Sequence, residues 1–122
     1  MKTQKQLLGQ QGEEIAVAHL LEKGYSILER NYRYGQAEID IIATNQKQLI
    51  IVEVKTRYTD RYGLPEVWVT DKKQFRIARA TEAYLRKNRL NLTVRYDIMS
   101  IIKNQYKTEI THLIDAFWPG LY

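Results

Sequence analysis

A chain of 122 residues with 44% hydrophobic content is one domain's worth of globular protein, enough for a sheet with covering helices and too short for a separate substrate domain. It has no cysteine, which excludes disulfides and thiolate metal centres and fits a cytoplasmic setting; no segment approaches the ~20 consecutive apolar residues that span a bilayer, so no membrane role is expected. Lys and Arg number 19 against 14 Asp and Glu, and the net charge of +5 is compatible with a polyanionic partner without requiring one.

The polar opening Met1-Lys2-Thr3-Gln4-Lys5-Gln6 leads into no apolar stretch of signal-peptide length. From about Gln4 to Lys23 the pattern is helical: Glu13, Ala16, Val17, Leu20 and Leu21 recur at three- and four-residue spacing, and Gly24 stands where a C-terminal cap belongs. Tyr25 to Arg33 reads as a short strand, broken or bent at Tyr34-Gly35-Gln36. Glu38 to Ala43 and Leu49 to Arg57 are strands rich in Ile and Val, joined by the polar run Thr44 to Gln48. The second of them alternates, with Ile50, Val52 and Val54 on one side and Ile51, Glu53 and Lys55 on the other. Tyr58 to Glu66, containing Asp60, Gly63 and Pro65, reads as a loop. A second helix is predicted from about Asp71 to Asn88, capped by Thr70 or Asp71, with Ile77, Ala78, Tyr84 and Leu85 as its apolar stripe. Strands at Thr93 to Lys103 and roughly Glu109 to Asp115 follow, and Phe117-Trp118-Pro119 forms an aromatic tail expected to dock on the domain or on a second subunit. No repeat or linker interrupts the chain, so one domain over residues 1–122 is expected. The order of helix, three strands, helix and two strands is that of an α/β fold, a central mixed sheet flanked by helices.

Pairing the two Ile/Val-rich strands with a turn centred between Gln46 and Lys47 sets Ala43 against Ile50 and Ile41 against Val52, hence Asp40 against Glu53 and Glu38 against Lys55. Residues directly opposite in an antiparallel pair hold their Cβ atoms about 4.5–5.5 Å apart, and two carboxylates that close repel unless a positive charge lies between them. A divalent cation meets that need, since magnesium commonly binds one or two carboxylates and keeps several waters. Lys55 emerges on the face of Glu53 about 6.5–7 Å further along, where it can stabilise charge developing on a phosphate or an attacking water. A register slip of one residue would separate the acids onto opposite faces. An E-x-K pair on a strand is commonly just a solvated face with a same-strand ion pair. Against that, Leu49 and Ile51 share the face of Glu53, and Glu38 and Asp40 add acids on the facing strand.

Gly9-Gln10-x-Gly12-Glu13 with Ala16, then Leu21, Gly24-Tyr25 and Arg30-Asn31-Tyr32-Arg33, resembles the YraN-like family of small bacterial proteins. Glu38-Ile39-Asp40-Ile41-Ile42-Ala43, Val52-Glu53-Val54-Lys55-Thr56-Arg57, Gly63-x-Pro65, Lys73, Tyr96-Asp97 and Ala116-Phe117 continue the match along nearly the whole chain. That family in turn resembles the restriction-endonuclease-like superfamily, archaeal-type Holliday-junction resolvases in particular, with a helix glutamate, an aspartate and an E-x-K in that order. The resemblance implies a restriction-endonuclease-like fold, with Asp40 and Glu53 as metal ligands, the Val54 carbonyl as a third, and Lys55 as the catalytic lysine. The helix glutamate is Glu14 or Glu13, and Glu14 is preferred because it shares a face with Val17, Ala18 and Leu21. Glu38 is expected as an auxiliary acid. Ala37 departs from the glycine expected before the Glu-x-Asp segment, which bears on backbone shape more than on chemistry.

The expected activity is a magnesium-dependent nuclease, manganese substituting, that hydrolyses phosphodiester bonds in DNA, branched DNA among its candidate substrates. Lys72, Lys73 and Arg76 on the basic second helix, together with Arg57, are expected to contact the nucleic acid. A homodimer is a geometric expectation for binding a duplex. The rival is a non-catalytic module that binds nucleic acid or protein on the same fold; a two-carboxylate sugar hydrolase fits poorly, because it leaves the lysine without a task. Tyr58, Tyr62 and Trp68 are candidates for base stacking or for pinning the loop, packing being the better reading for Trp68; His19 and His112 lack metal-ligand spacing and are expected to be structural.

Overall fold

In the computed structural model of the chain, residues 1–59 and 69–119 are described. Helix α1 (Gln4–Glu22) starts at Thr3, whose hydroxyl accepts from the Gln6 N–H while the Gln6 side chain accepts from the Thr3 N–H, a reciprocal cap. It ends at Lys23, followed by Gly24 with φ 90°, the left-handed residue expected past a helix end. Strands β1 (Ser26–Tyr34), β2 (Ala37–Thr44) and β3 (Gln48–Arg57) follow, then α2 (Asp71–Lys87), β4 (Thr93–Lys103) and β5 (Thr108–Phe117). All seven elements expected from the sequence are present in the expected order. The loop expected from Tyr58 to Glu66 lies, beyond Thr59, outside the described residues, as do Tyr62 and Trp68. Among the described residues no helix is long and apolar enough to cross a membrane.

The sheet runs β1-β2-β3-β4-β5, antiparallel at every step except the parallel pair β3–β4, which α2 connects. A parallel pair needs a crossover of this kind, and the central strands, covered on both faces, are correspondingly apolar throughout. On one face Ala16 and Leu20 of α1 pack with Ile41, Ala43, Ile50, Val52, Met99 and Ile101. On the other, Ile77, Ala80 and Tyr84 of α2 pack with Ile39, Ile42, Leu49, Ile51 and Ile98, and Phe117 closes this layer from β5. The tail therefore docks through Phe117, whereas Trp118 stays 58% exposed and donates its indole N–H to Asp115.

The buried stripe of α1 is Leu8, Gly12, Ala16 and Leu20, a correction to the expected stripe, since Leu21 is 54% exposed. Gly12 accounts for the rotation. A Cβ there would lie 1.7 Å from the Thr56 hydroxyl and 2.7 Å from the Thr56 Cβ, so bare helix backbone rests on β3. Only glycine allows that approach, and with it Glu13 is half-buried while Glu14 is exposed and reaches only the edge strand β1.

A second fixed point lies on β4. Asp97 is fully buried and accepts from Arg95 Nε and Nη2 at 3.0 and 2.8 Å, from the Asp115 N–H at 2.9 Å, and lies 2.7 Å from His112 Nε2. Arg95 also donates to the Tyr25 hydroxyl at 2.8 Å, tying in the segment after α1. The Asp115 contact anchors a bulge where Tyr96 pairs with Phe117 but Ile98 pairs with Leu113, with Asp115 itself at φ 58°. Burial pushes the Asp97 carboxyl up, but the bonds from His112, Arg95 and Asp115 outweigh it and hold the group below its ordinary value. His112 thus has a structural task, and its ring meets that of His19 edge-on at 6.3 Å between centroids.

Two stability predictions follow from these contacts. Gly12→Ala should lower stability by about 1–3 kcal/mol through overpacking, although alanine is the better helix former. Gly9→Ala, with nothing within 4 Å of the added methyl, should instead gain up to about 1 kcal/mol. Urea denaturation of both variants tests this, and a shift of the same sign in the two would contradict it. Asp97→Ala should cost about 3–5 kcal/mol by stranding Arg95. Because the Asp97 pKa is depressed in the folded state, its contribution is present above the unfolded pKa and lost as pH falls through the folded one, so the wild-type advantage should shrink on acidification.

Candidate active site

The β2–β3 register is the one read from the sequence: Thr44 pairs with Leu49, Ala43 with Ile50, Ile42 with Ile51 and Ile41 with Val52. Asn45 fixes it by accepting from the N–H groups of Lys47 and Gln48 in the turn. Beyond Ile41 and Val52 the ladder stops and side chains take its place. The Asp40 carboxylate accepts from the Val54 N–H at 2.8 Å, and the Asp40 N–H points at Glu53 Oε2 at 3.4 Å. Asp40 and Glu53 are therefore neighbours, as expected. Glu38 and Lys55 are not opposed across a ladder, which is a correction. Glu38 is matched to Arg33 on β1 and forms an ion pair with it at 3.1 Å, while Lys55 is matched to Ser100 on β4 and is exposed.

The splay has a local cause. Ala37 and Ile39 pack on the α2 side of the sheet, whereas Ile41 and Ala43 pack on the α1 side, so β2 changes faces at Asp40. On β1 the pairing skips the same step, between Arg30–Ile41 and Tyr32–Ile39, at Asn31, whose φ is 52°. Asn31 uses its amide nitrogen to donate to Glu38 at 3.1 Å and to Glu13 at 3.0 Å, the orientation that suits two carboxylates.

The helix glutamate nearest the cluster is accordingly Glu13. Burial pushes its carboxyl up, and Asp40 and Glu38 push in the same direction. Glu14, the residue preferred from the sequence, points elsewhere. Its side chain is 61% exposed and pairs with Arg30 at 2.7 Å. The preference failed because it assumed a helix face that Gly12 rotates away. In the sequence Asn31 carries no signal beyond that of a polar residue inside a strand.

Glu53 is 4% exposed. Burial is the main force raising its carboxyl, neighbouring Asp40 raises it further, and the Lys73 ammonium at 3.3 Å only partly offsets the two, leaving the group near 8. Asp40 is also raised, chiefly by burial; the Val54 N–H and Lys73 pull it back, Glu38 pushes it up, and Lys55 favours its charged form. Glu38, Asp40, Glu53, Lys72, Lys73 and Arg76 share a groove of about 450 Å³. Lys55 and Arg57 line a separate groove against Gln4, Lys5 and Leu8 of α1, so neither is gathered in the carboxylate groove with the α2 cations, although Lys55 is near enough to favour the charged form of Asp40. Among the described residues no three His, Asp or Glu side chains converge as a metal cage. The adjacent pair of half-buried Asp40 and buried Glu53 nevertheless fits a hard cation that takes one or two protein carboxylates and completes its shell with water.

The raised acids make a signed prediction. Between the ordinary value of 4.5 for Glu53 and about 8 the folded state holds a proton that the unfolded chain has lost, so stability falls as pH rises through that window. Glu53→Gln should flatten the slope and be the more stable form near pH 8. Thermal unfolding from pH 5 to 9 checks this; a wild-type slope unchanged in Glu53→Gln would refute it.

The family model described as "Uncharacterised protein family UPF0102" matches residues 12–101, a span that includes Glu13, Asp40, Glu53, Lys55, Lys73 and Asp97. The chain is 46% identical over 114 residues to a UPF0102 protein of Phocaeicola vulgatus, covering 93% of this chain and 94% of that one. It is 47% identical over 111 residues to a UPF0102 protein of Christiangramia forsetii, with 91% and 93% covered. Among solved structures it is similar to an fdxN element excision controlling factor protein from Anabaena variabilis, at 17% identity and TM-score 0.45, covering 84% of this chain and 97% of that one. It is also similar to Pyrococcus furiosus SfsA in complex with Ca2+, at 19% identity and TM-score 0.40, with 88% and 62% covered. With the family model spanning most of the chain and relatives above 40% identity along more than nine-tenths of it, the chain belongs to the UPF0102 protein family.

Proposed function

We propose that the chain is a divalent-metal-dependent nuclease that hydrolyses phosphodiester bonds in DNA, branched DNA included, with magnesium as the ion and manganese as a substitute. The observation that carries this reading is the adjacency of two carboxylates, half-buried Asp40 and buried Glu53, whose pKa values burial and carboxylate repulsion raise beyond what the neighbouring cations offset. Groups perturbed in this way at the edge of a groove are characteristic of functional sites. The likeness of the Asp40 and Glu53-x-Lys55 pattern to restriction-endonuclease-like nucleases supports the same class.

In this reading Asp40 and Glu53 hold the ion, joined by the Val54 carbonyl, and both carboxylates must lose their protons to do so. A divalent ion held there would lower the pKa of a bound water and offset charge on the phosphoryl oxygens. Lys55, two residues beyond Glu53, donates to the attacked phosphate or to the water. Lys73, paired with Glu53 in the free protein, is released to a phosphate oxygen of the substrate. Glu38 and Glu13, linked by Asn31, form an outer acidic layer that accepts protons and orients water. Lys72 and Arg76 bind the phosphate backbone on the α2 side, and Arg57 does so on the other. The setting is cytoplasmic, and a homodimer would present two such sites to a duplex.

One observation favours a second reading. Lys73 already places a cation against Glu53, so the groove can be self-neutralised, and the chain would then bind nucleic acid without cutting it.

Calorimetric titration with Mn2+ separates the two. Wild type should bind at millimolar or tighter concentration, more tightly as pH rises because protons are released, and Asp40→Asn and Glu53→Gln should abolish the heat. Lys55→Ala should keep metal binding while cleavage of branched or single-stranded DNA falls by at least about a hundredfold. No Mn2+ binding by wild type, with or without DNA, would remove the nuclease reading and leave the binding module.

A further inference from the structure

Helix α2 has two faces of different character. Its buried stripe, Ile77, Ala80, Thr81 and Tyr84, is spaced i, i+3, i+4, i+7 and seals the sheet. The same spacing recurs five residues earlier, in Lys72, Phe75, Arg76 and Arg79, all exposed. Five residues at 100° each place this stripe well around the helix from the first. A phenylalanine on such a face is out of keeping with core packing, and Phe75 is 55% exposed. Arg79 sets its guanidinium 5.8 Å from the Phe75 ring centroid.

Facing the stripe is the β1–β2 turn. Tyr34 pairs with Ala37 across a two-residue loop in which Gly35 adopts φ 60°, so the hairpin end is tightly formed and holds Tyr34 in place, 42% exposed. Turn and stripe enclose a groove of about 430 Å³ lined by Tyr34, Gln36, Phe75, Arg76 and Arg79 among others. Gln36, Lys72 and Arg76 also line the groove that holds Asp40 and Glu53, so the two are continuous.

Two aromatic rings half in water beside three cations form a surface suited to a flat, uncharged ring attached to a phosphate. We infer that this groove is a stacking subsite for an unpaired nucleobase, with Phe75 and Tyr34 as its platforms and Lys72, Arg76 and Arg79 on the adjoining phosphates. Every base has a π-face, so such a platform takes single strands with little regard to sequence and rejects bases held inside a duplex. The inference rests on the nucleic-acid reading of the carboxylate groove and narrows its substrate. The strand entering the site is single-stranded or splayed, as at a flap, a gap or a junction arm, and the base next to the attacked phosphate leaves its stack.

Fluorescence anisotropy with a labelled twelve-nucleotide oligothymidine in EDTA tests binding without any metal. Wild type should prefer the single strand to a duplex of the same length. Phe75→Ala and Tyr34→Ala should each weaken single-strand binding by about tenfold and leave duplex binding nearly unchanged, and Phe75→Trp should retain wild-type affinity. Both positions are exposed, so a fold defect is not expected, and an unchanged thermal midpoint confirms it. Mn2+ calorimetry on Phe75→Ala keeps the two proposals apart. Normal metal binding with single-strand affinity also unchanged in both alanine variants overturns the subsite and leaves the nuclease reading standing. Loss of single-strand affinity in a protein whose wild type binds no metal supports the subsite and removes the nuclease. Duplex binding as tight as single-strand binding in wild type overturns the subsite outright.

Discussion

The interaction on which the rest of the molecule turns is the capture of the Val54 N–H by the Asp40 carboxylate. Backbone donors in a sheet are normally satisfied by the neighbouring strand, and leaving one unpaired in the interior costs about 1–3 kcal/mol. Here an aspartate side chain substitutes for the strand, which lets β2 and β3 separate at one end without orphaning the donor. The separation is what gives Glu53 a carboxylate neighbour, and it is matched on β1 by the left-handed Asn31. Gly12 on α1 then brings Glu13 to the same place, and the start of α2 brings Lys73. Three further elements, β1, α1 and α2, thus converge on a defect in the β2–β3 ladder.

Two buried carboxylates in the protein show what separates a structural acid from a reactive one. Asp97 has bonds from a guanidinium, an imidazole and a backbone N–H, and these overcome burial so that it stays ionised. Glu53, as thoroughly buried, has one lysine and a second carboxylate, and burial prevails. Both residues lie on central strands of one sheet, and the donors that surround Asp97 have no equivalent around Glu53. A stability-optimised core would resolve the second arrangement by supplying another cation or removing an acid. Its persistence is the pattern expected where local rules yield to function.

Much of this was legible in the sequence because its signals are strong and local. Alternation in Leu49 to Arg57 fixed which side chains of β3 share a face, and the polar turn Thr44 to Gln48 fixed the register that makes Asp40 and Glu53 neighbours. What escaped notice depended on departures from regular geometry. Regular pleating opposes Glu38 to Lys55, but β2 changes faces at Asp40 and carries Glu38 to Arg33. An ideal helical wheel favours Glu14, but a close backbone approach at Gly12 rotates the helix. Phe75 was passed over because one aromatic among basic residues breaks no rule of periodicity until the neighbouring hairpin is in place.

Helix α2 resolves a tension in the site. If the site works as proposed, acids gathered tightly enough to bind a cation would repel the phosphates of a nucleic acid, so cations must stand close by without neutralising the pair. The first two turns of α2 provide them. Lys73 touches Glu53 directly, Lys72 and Arg76 line the same groove, and the helix N-terminus adds the positive end of its dipole. Lys73 partly offsets the acids yet has a flexible stem and is 47% exposed, so in the proposed mechanism it can give way to a metal ion. Arginine at that position would make a bidentate pair with Glu53 and resist displacement. A lysine there keeps the carboxylate pair tolerable in the free protein and, on the proposed metal-dependent reading, available to an ion.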